Sequence, residues 1–133
     1  MAIERASFSR DAWPKKLFLE YFRESPELFL IARRGKKMAG YVITVASPRN
    51  AELVSIAVAP ETRRHGIARI LLDHTKPKLK SRRVRTWWLM VDVTNESAIA
   101  FYQQYGFSII RRVKRYYGPG RDAWRMRLTL TKD

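Results

Sequence analysis

The chain has 133 residues, 46% of them hydrophobic and 12% aromatic, a size and composition that suit one domain with a real apolar core. It has no cysteine, so disulfides, thiolate metal sites and a cysteine nucleophile are excluded, and no apolar run reaches the roughly 20 residues that span a bilayer. Its 27 Lys and Arg against 12 Asp and Glu leave a formal charge of +15, which points to an anionic partner.

No repeat, low-complexity tract or linker interrupts the chain, so residues 1–133 read as a single domain. The opening MAIERASFSR is too charged and too short for a signal peptide, and a soluble, cytoplasmic protein with no membrane attachment is expected. Residues 3–8 and 14–24 read as two short helices broken at Trp13-Pro14, the second carrying Leu17, Phe18, Tyr21 and Phe22 at helical spacing. Leu28–Arg33 and Met38–Ala46 are β-rich runs around Arg34-Gly35-Lys36-Lys37, a hairpin. Glu52–Val58 predicts a third strand with Glu52, Val54, Ile56 and Val58 on one face and Leu53, Ser55 and Ala57 on the other. A helix follows with Ile67, Ile70 and Leu71 inward, and Pro77 is expected to end or kink it early. Arg85–Val93 predicts a strand and Asn95–Tyr105 a helix closed by Gly106; Phe107–Arg115 and Ala123–Leu130 form a closing antiparallel pair. Together these elements describe a mixed α/β sheet with helices on its faces.

The stretch VAPETRRHGIARILL, Val58 to Leu72, runs from the third strand through a polar turn into the helix. A helix N-terminus leaves its first N–H groups unpaired and carries partial positive charge, so a turn that presents those amides beside a glycine is an anion cradle. Arg63, Arg64 and Arg69 add full charges to it. There is no Gly-Lys-Ser/Thr for a phosphate-binding P-loop and no G-x-G-x-x-G for a dinucleotide fold. The two histidines, His65 and His74, lack a second ligand at metal spacing, and no metal site is expected.

Two segments resemble the GNAT N-acetyltransferases. Arg63-x-x-Gly66-x-Ala68 after Ile56-Ala57-Val58-Ala59-Pro60 is similar to that superfamily's acetyl-CoA pyrophosphate loop, and Asn95-x-x-Ala98-x-x-Phe101-Tyr102-x-x-x-Gly106-Phe107 to its second cofactor segment. Tyr116-Tyr117 and the turn Gly120-Arg121-Asp122-Ala123 add a likeness to RimI-type enzymes, which acetylate the N-termini of ribosomal proteins. The resemblance implies a GNAT-like, mostly antiparallel sheet flanked by helices, with the family's first strand missing because the chain begins about where the family's first helix does. It also implies acetyl-CoA as co-substrate. Ile56, Ala57 and Val58 would offer backbone groups to the pantetheine arm, and the amides of Arg64, His65, Gly66, Ile67, Ala68 and Arg69 would hold the pyrophosphate beside Arg63. Asn95 would bond the cofactor's amide arm, and Tyr102 would stand near the thioester sulfur; its alternative is a helix tyrosine packed beside Phe101. Tyr116 and Tyr117 would line the acceptor's entry, or else pack at a strand end.

RimI-type enzymes carry a glutamate base in an L-E-V-R segment, which here is Leu89-Met90-Val91-Asp92. Methionine accepts no proton. AELVSIAV at 51–58 aligns with the strand of histone-type members, whose catalytic glutamate corresponds to Glu52, so Glu52 is the first candidate base and Asp92 the second. An α-amine, with a pKa of roughly 7.7–8.0 against about 10.4 for lysine, needs the weaker base. The expected activity is therefore acetyl transfer to a protein or peptide N-terminus by direct attack in a ternary complex. The alternatives are a small amine or lysine acceptor, or a CoA-binding module that has lost catalysis and associates with ribosome or nucleic acid.

Overall fold

In the computed structural model of the protein, residues 2–5, 26–60 and 66–131 are described. They form a seven-stranded sheet in the order β1-β2-β3-β4-β5-β7-β6, with β1 Ala2–Arg5, β2 Phe29–Arg34, β3 Lys37–Ser47, β4 Asn50–Val58, β5 Thr86–Asp92, β6 Ser108–Val113 and β7 Ala123–Thr129. Every pairing is antiparallel except β4 with β5, which α1, Ile67–Ser81, connects as a crossover. The helix α2, Glu96–Tyr105, lies between β5 and β6 in the chain and touches α1 through Tyr105 and Asp73.

Alternation along each strand sends one set of residues to the helical face of the sheet. Leu30, Val42, Leu53, Trp87, Leu89 and Met126 meet Leu71, Leu72 and Leu79 of α1 and Tyr102 of α2 in one apolar core. Phe29 and Ile43 are buried outside that cluster.

Several expectations are corrected. A strand stands at Ala2–Arg5 where residues 3–8 read as a helix; it pairs with β2 from Ala2↔Arg33 to Arg5↔Leu30, so the first strand thought to be missing is present. Two apolar residues followed by two charged ones show no alternation that could reveal a strand, and pairing decides its state. The helix expected over 14–24 lies outside the described residues. Pro77 does not stop α1, which continues to Ser81 with Leu79 fully buried beyond the proline. Core contact on both sides of Pro77 outweighs the lost backbone bond. The inward face of that helix is Ile67, Leu71, Leu72, Thr75 and Leu79, with Ile70 half-buried.

The third strand also breaks the regular alternation read from its sequence. Ile43 pairs with Ser55 but Thr44 with Leu53, so Val54 is an extra residue in β4, a β-bulge. Ala51 and Leu53 are in the core, and beyond the bulge Ile56 and Val58 pack against it. The ladder to β5 ends here, at Leu53↔Leu89, although β4 runs on to Val58 and β5 to Asp92. The two parallel strands part, and the edge of β4 beyond Leu53 has no strand partner.

Candidate active site

Where β4 and β5 part, a cleft of about 820 Å³ opens on the helical face. It is lined by Ile56, Ala57 and Val58 of β4, by Gly66, Ile67, Ala68 and Arg69 at the start of α1, and by Asn95, Ser97, Ala98, Phe101 and Tyr102 at the start and inner side of α2. Nine residues singled out by sequence thus border one space. Arg63, Arg64 and His65 lie outside the described residues.

Each wall has a local cause. Gly66 caps α1 with φ 70°, a left-handed conformation that glycine adopts without penalty, and no side chain caps the helix. A Cβ there would meet nothing within 4 Å, so the turn needs this glycine for its backbone angle and not for room. The N–H of Ile70 bonds the Gly66 carbonyl, and among the described residues the amides of Ile67, Ala68 and Arg69 before it have no backbone acceptor, which suits the binding of an anion. Gly40 is the glycine that provides room: a Cβ there would lie 2.7 Å from the Ala57 carbonyl oxygen and 3.1 Å from Ile67 Cγ2. Its place inside a β-rich run was the available signal for close backbone approach.

Asn95 caps α2, its Oδ1 accepting from the N–H of Ala98 at 3.3 Å and from the Ser97 hydroxyl at 3.3 Å. Its amide NH₂ retains donors for whatever fills the cleft. Ser97 was not identified from the sequence, since its small polar side chain gains meaning only from the helix start on which it stands.

Tyr102 is 7% exposed and packs edge-on to Phe107, with ring centroids 5.8 Å apart. Burial, with a smaller contribution from Tyr117, pushes its phenol up to about 12. Tyr116 and Tyr117 stand on the β6–β7 loop, exposed and perpendicular to each other at 4.9 Å. Burial also raises the Tyr117 phenol, followed by Tyr116 and Asp92 nearby, while Arg121 opposes.

The two carboxylates considered as bases are both engaged. Asp92 accepts from the N–H of Thr94 at 2.9 Å, from its hydroxyl at 2.7 Å and from Arg121 at 3.2 Å. The Thr94 N–H, then its hydroxyl, then Arg121 hold the Asp92 carboxyl below the usual range. Glu52 does not line the cleft. It borders a separate recess with Asn50, Trp88 and Arg125, and Arg125 Nη1 donates to both of its oxygens at 2.9 Å. Met90 shares a sheet face with Glu52 and lies across from Arg125, so a carboxylate at 90 would face the arginine that Glu52 now holds. Among the described residues no cluster of His, Cys, Asp or Glu has the arrangement of a metal site.

The chain matches the model of the acetyltransferase (GNAT) family over residues 1–107. It is 37% identical over 105 residues to the ribosomal protein bS18-alanine N-acetyltransferase of Escherichia coli, covering 79% of this chain and 70% of that protein. An N-alpha-acetyltransferase of Saccharolobus solfataricus is 31% identical over 127 residues, 86% of this chain and 76% of that one. The crystal structure of Chaetomium thermophilum Naa20 in complex with a bisubstrate analogue superposes with a TM-score of 0.85 at 27% identity, covering 97% of this chain and 86% of that one. The cleft at the parted strands therefore belongs to an enzyme, and the chain is a member of the GNAT acetyltransferase family.

Proposed function

We propose that the protein transfers acetyl from acetyl-CoA to the α-amine of a protein or peptide N-terminus by direct attack. The observation that carries this reading is the cleft. One extended ligand with an anionic end and an amide-bearing arm fits a space bounded by the start of α1, a strand edge that β5 leaves unpaired, and the Asn95 amide. One relative is named for acetyl transfer to the alanine of a ribosomal protein and the other for N-alpha-acetyl transfer.

The residues then divide the work. The start of α1 binds the pyrophosphate, and the edge of Ile56–Val58 pairs with the pantetheine arm in the manner of an added strand. Tyr102, buried and protonated, donates a hydrogen bond to the departing sulfur. Its phenol near 12 lies about 3.5 units above a thiol at about 8.5, roughly 5 kcal/mol against full proton transfer, so it stabilises the thiolate without protonating it. With Asp92 held below its usual range and Glu52 clasped by Arg125, the acceptor supplies much of its own reactivity. An α-amine, partly neutral near pH 7.5, does so, and a lysine does not. Tyr116 and Tyr117 flank the path of the acceptor. We place the reaction in the cytoplasm, where acetyl-CoA meets new N-termini, and assign the surplus positive charge to a phosphate-rich partner such as nucleic acid or the ribosome.

Thiol release from acetyl-CoA with a peptide panel tests the proposal. Turnover is expected with free N-termini and not with the same peptides carrying a blocked N-terminus and a free lysine. Turnover on the lysine peptides alone, or on small amines alone, would overturn the acceptor assignment; tight acetyl-CoA binding without turnover would leave a CoA-binding module.

A further inference from the structure

The face of the sheet turned away from α1 and α2 carries a group of arginines, of which only Arg125 meets a residue considered for catalysis, Glu52. On β7, Met126 is in the core with Trp124 and Leu128 packed against it, so the alternate residues Arg125 and Arg127 point to the other face. Across the ladder Arg111 of β6 pairs with Arg125 and Ser108 with Arg127, which places Arg111 on the same face. Trp88 of β5 stands beside them, paired in register with Arg127, and the guanidinium carbons of Arg125 and Arg127 lie 4.6 and 5.6 Å from its ring centroid.

This group is short of negative charge. Its one carboxylate is Glu52, whose oxygens both accept from Arg125. Arg111 and Arg127 are exposed and, among the described residues, form no ion pair. Like charges directly opposite on antiparallel strands repel, so Arg111 facing Arg125 costs the hairpin stability. The described fold has little to offset it with: Glu27, Glu52, Asp73, Asp92 and Asp122 are already engaged by Arg82, Arg125, Tyr105, Arg121 and Arg112, and Glu96 stands in the first turn of α2. The arrangement is stabilised when an outside anion joins it.

We infer that this arginine face docks the phosphate backbone of RNA, an inference that rests on the phosphate-rich partner proposed above and gives it a surface. The charges are all guanidinium groups, whose planar fork bonds phosphate through two N–H groups, and stacking on Trp88 holds two of them in place before a ligand arrives. Arg125 and Arg127, two residues apart on one strand, are spaced by about 7 Å, and Arg111 stands one strand away, about 5 Å. A polynucleotide presents an anion at every backbone unit and satisfies such an array in any sequence.

The test is fluorescence anisotropy of a labelled 20-nucleotide oligouridylate titrated with the full chain at rising salt. Affinity is expected to fall linearly in log–log form. Arg111→Gln with Arg127→Gln should weaken binding at least tenfold and reduce the slope by about 1.4, two single-strand phosphate contacts. Arg127→Gln alone reduces it by about 0.7 and serves if the double variant does not fold. Lys78→Gln with Lys80→Gln, exposed on the last turn of α1, should change affinity less than twofold. Acetyl transfer to a short peptide stays within twofold in the arginine variants, which separates failure of docking from failure of the enzyme reading. Absence of binding at the lowest salt, equal loss from the lysine pair, or retained binding in the folded arginine variants would each overturn the inference. Displacement of RNA by polyglutamate as effectively as by unlabelled RNA would assign the face to an acidic protein instead.

Discussion

At the scale of single residues, the question is which group, if any, takes the acceptor's proton. Glu52 has to release Arg125 before it can act, whereas Asp92 is held ionised by Thr94 and Arg121. Glu52→Gln is therefore expected to lower kcat/KM by about 100-fold if Glu52 is the base, near the low end for general-base loss, with the deficit shrinking as pH rises and more amine is neutral. Asp92→Asn should leave the acid limb of the pH profile unmoved, because a carboxyl below its usual range does not titrate near neutrality. Met90→Glu places a carboxylate across from Arg125 and should compete with Glu52 for it; higher kcat/KM in that variant would locate the base on β5. If Glu52→Gln and Asp92→Asn both keep full activity from about pH 6 to 9, positioning and water suffice. The alkaline side carries a separate expectation for Tyr102. Its hydroxyl remains protonated until pH approaches 12, so kcat should not fall between about pH 8 and 10, and a descending limb there would show that the buried phenol is not the donor.

At the scale of elements, local signals and packing divided the information unevenly. The two cofactor segments were legible because their residues are set by local backbone needs: Gly66 at φ 70°, Asn95 as a cap, Gly106 at φ 123° closing α2. The bulge at Val54 was not legible, because a register shift depends on the partner strand, and the site is built on its consequence, the parting of β4 from β5. Likewise, Glu52 and Ile56 read as sharing one face, and the bulge between them leaves Ile56 on the core side and Glu52 away from the cleft lining, which spacing along the chain does not reveal. Pro77 shows the opposite failure, a strong local signal overruled by the core. Pro77→Ala restores an N–H that can bond the Asp73 carbonyl, and Pro77 itself is exposed, so no packing is lost. A proline inside a helix costs about 3 kcal/mol relative to alanine, but the proline also restricts the unfolded chain. A net gain of about 1–2 kcal/mol in chemical denaturation is expected; a loss would mean that the proline shapes the last turn of α1 for a partner.

At the scale of the whole molecule, the sheet is two antiparallel halves, β1 to β4 and β5 to β7, joined by a parallel ladder of four residue pairs from Asn50↔Thr86 to Leu53↔Leu89. The helices bridge the halves on one face, and the strand edge above the ladder is complete only when something lies along it. A ligand that binds the folded state alone adds about 2.7 kcal/mol at 100 times its Kd, so acetyl-CoA should raise Tm and protect the amides of Ser55 to Val58 from hydrogen exchange more than those of β2. Unchanged exchange along that edge at saturation would place the pantetheine arm elsewhere.

The four-pair ladder also bears on how long the enzyme survives. A protease cuts chains that have opened, and the two halves can separate at this short ladder of four rungs. A donor bound along the adjoining strand edge would hold that junction closed, so degradation should slow as acetyl-CoA accumulates and quicken as it is drained. The abundance of the protein would then follow the supply of acetyl groups, with no dedicated regulatory site required.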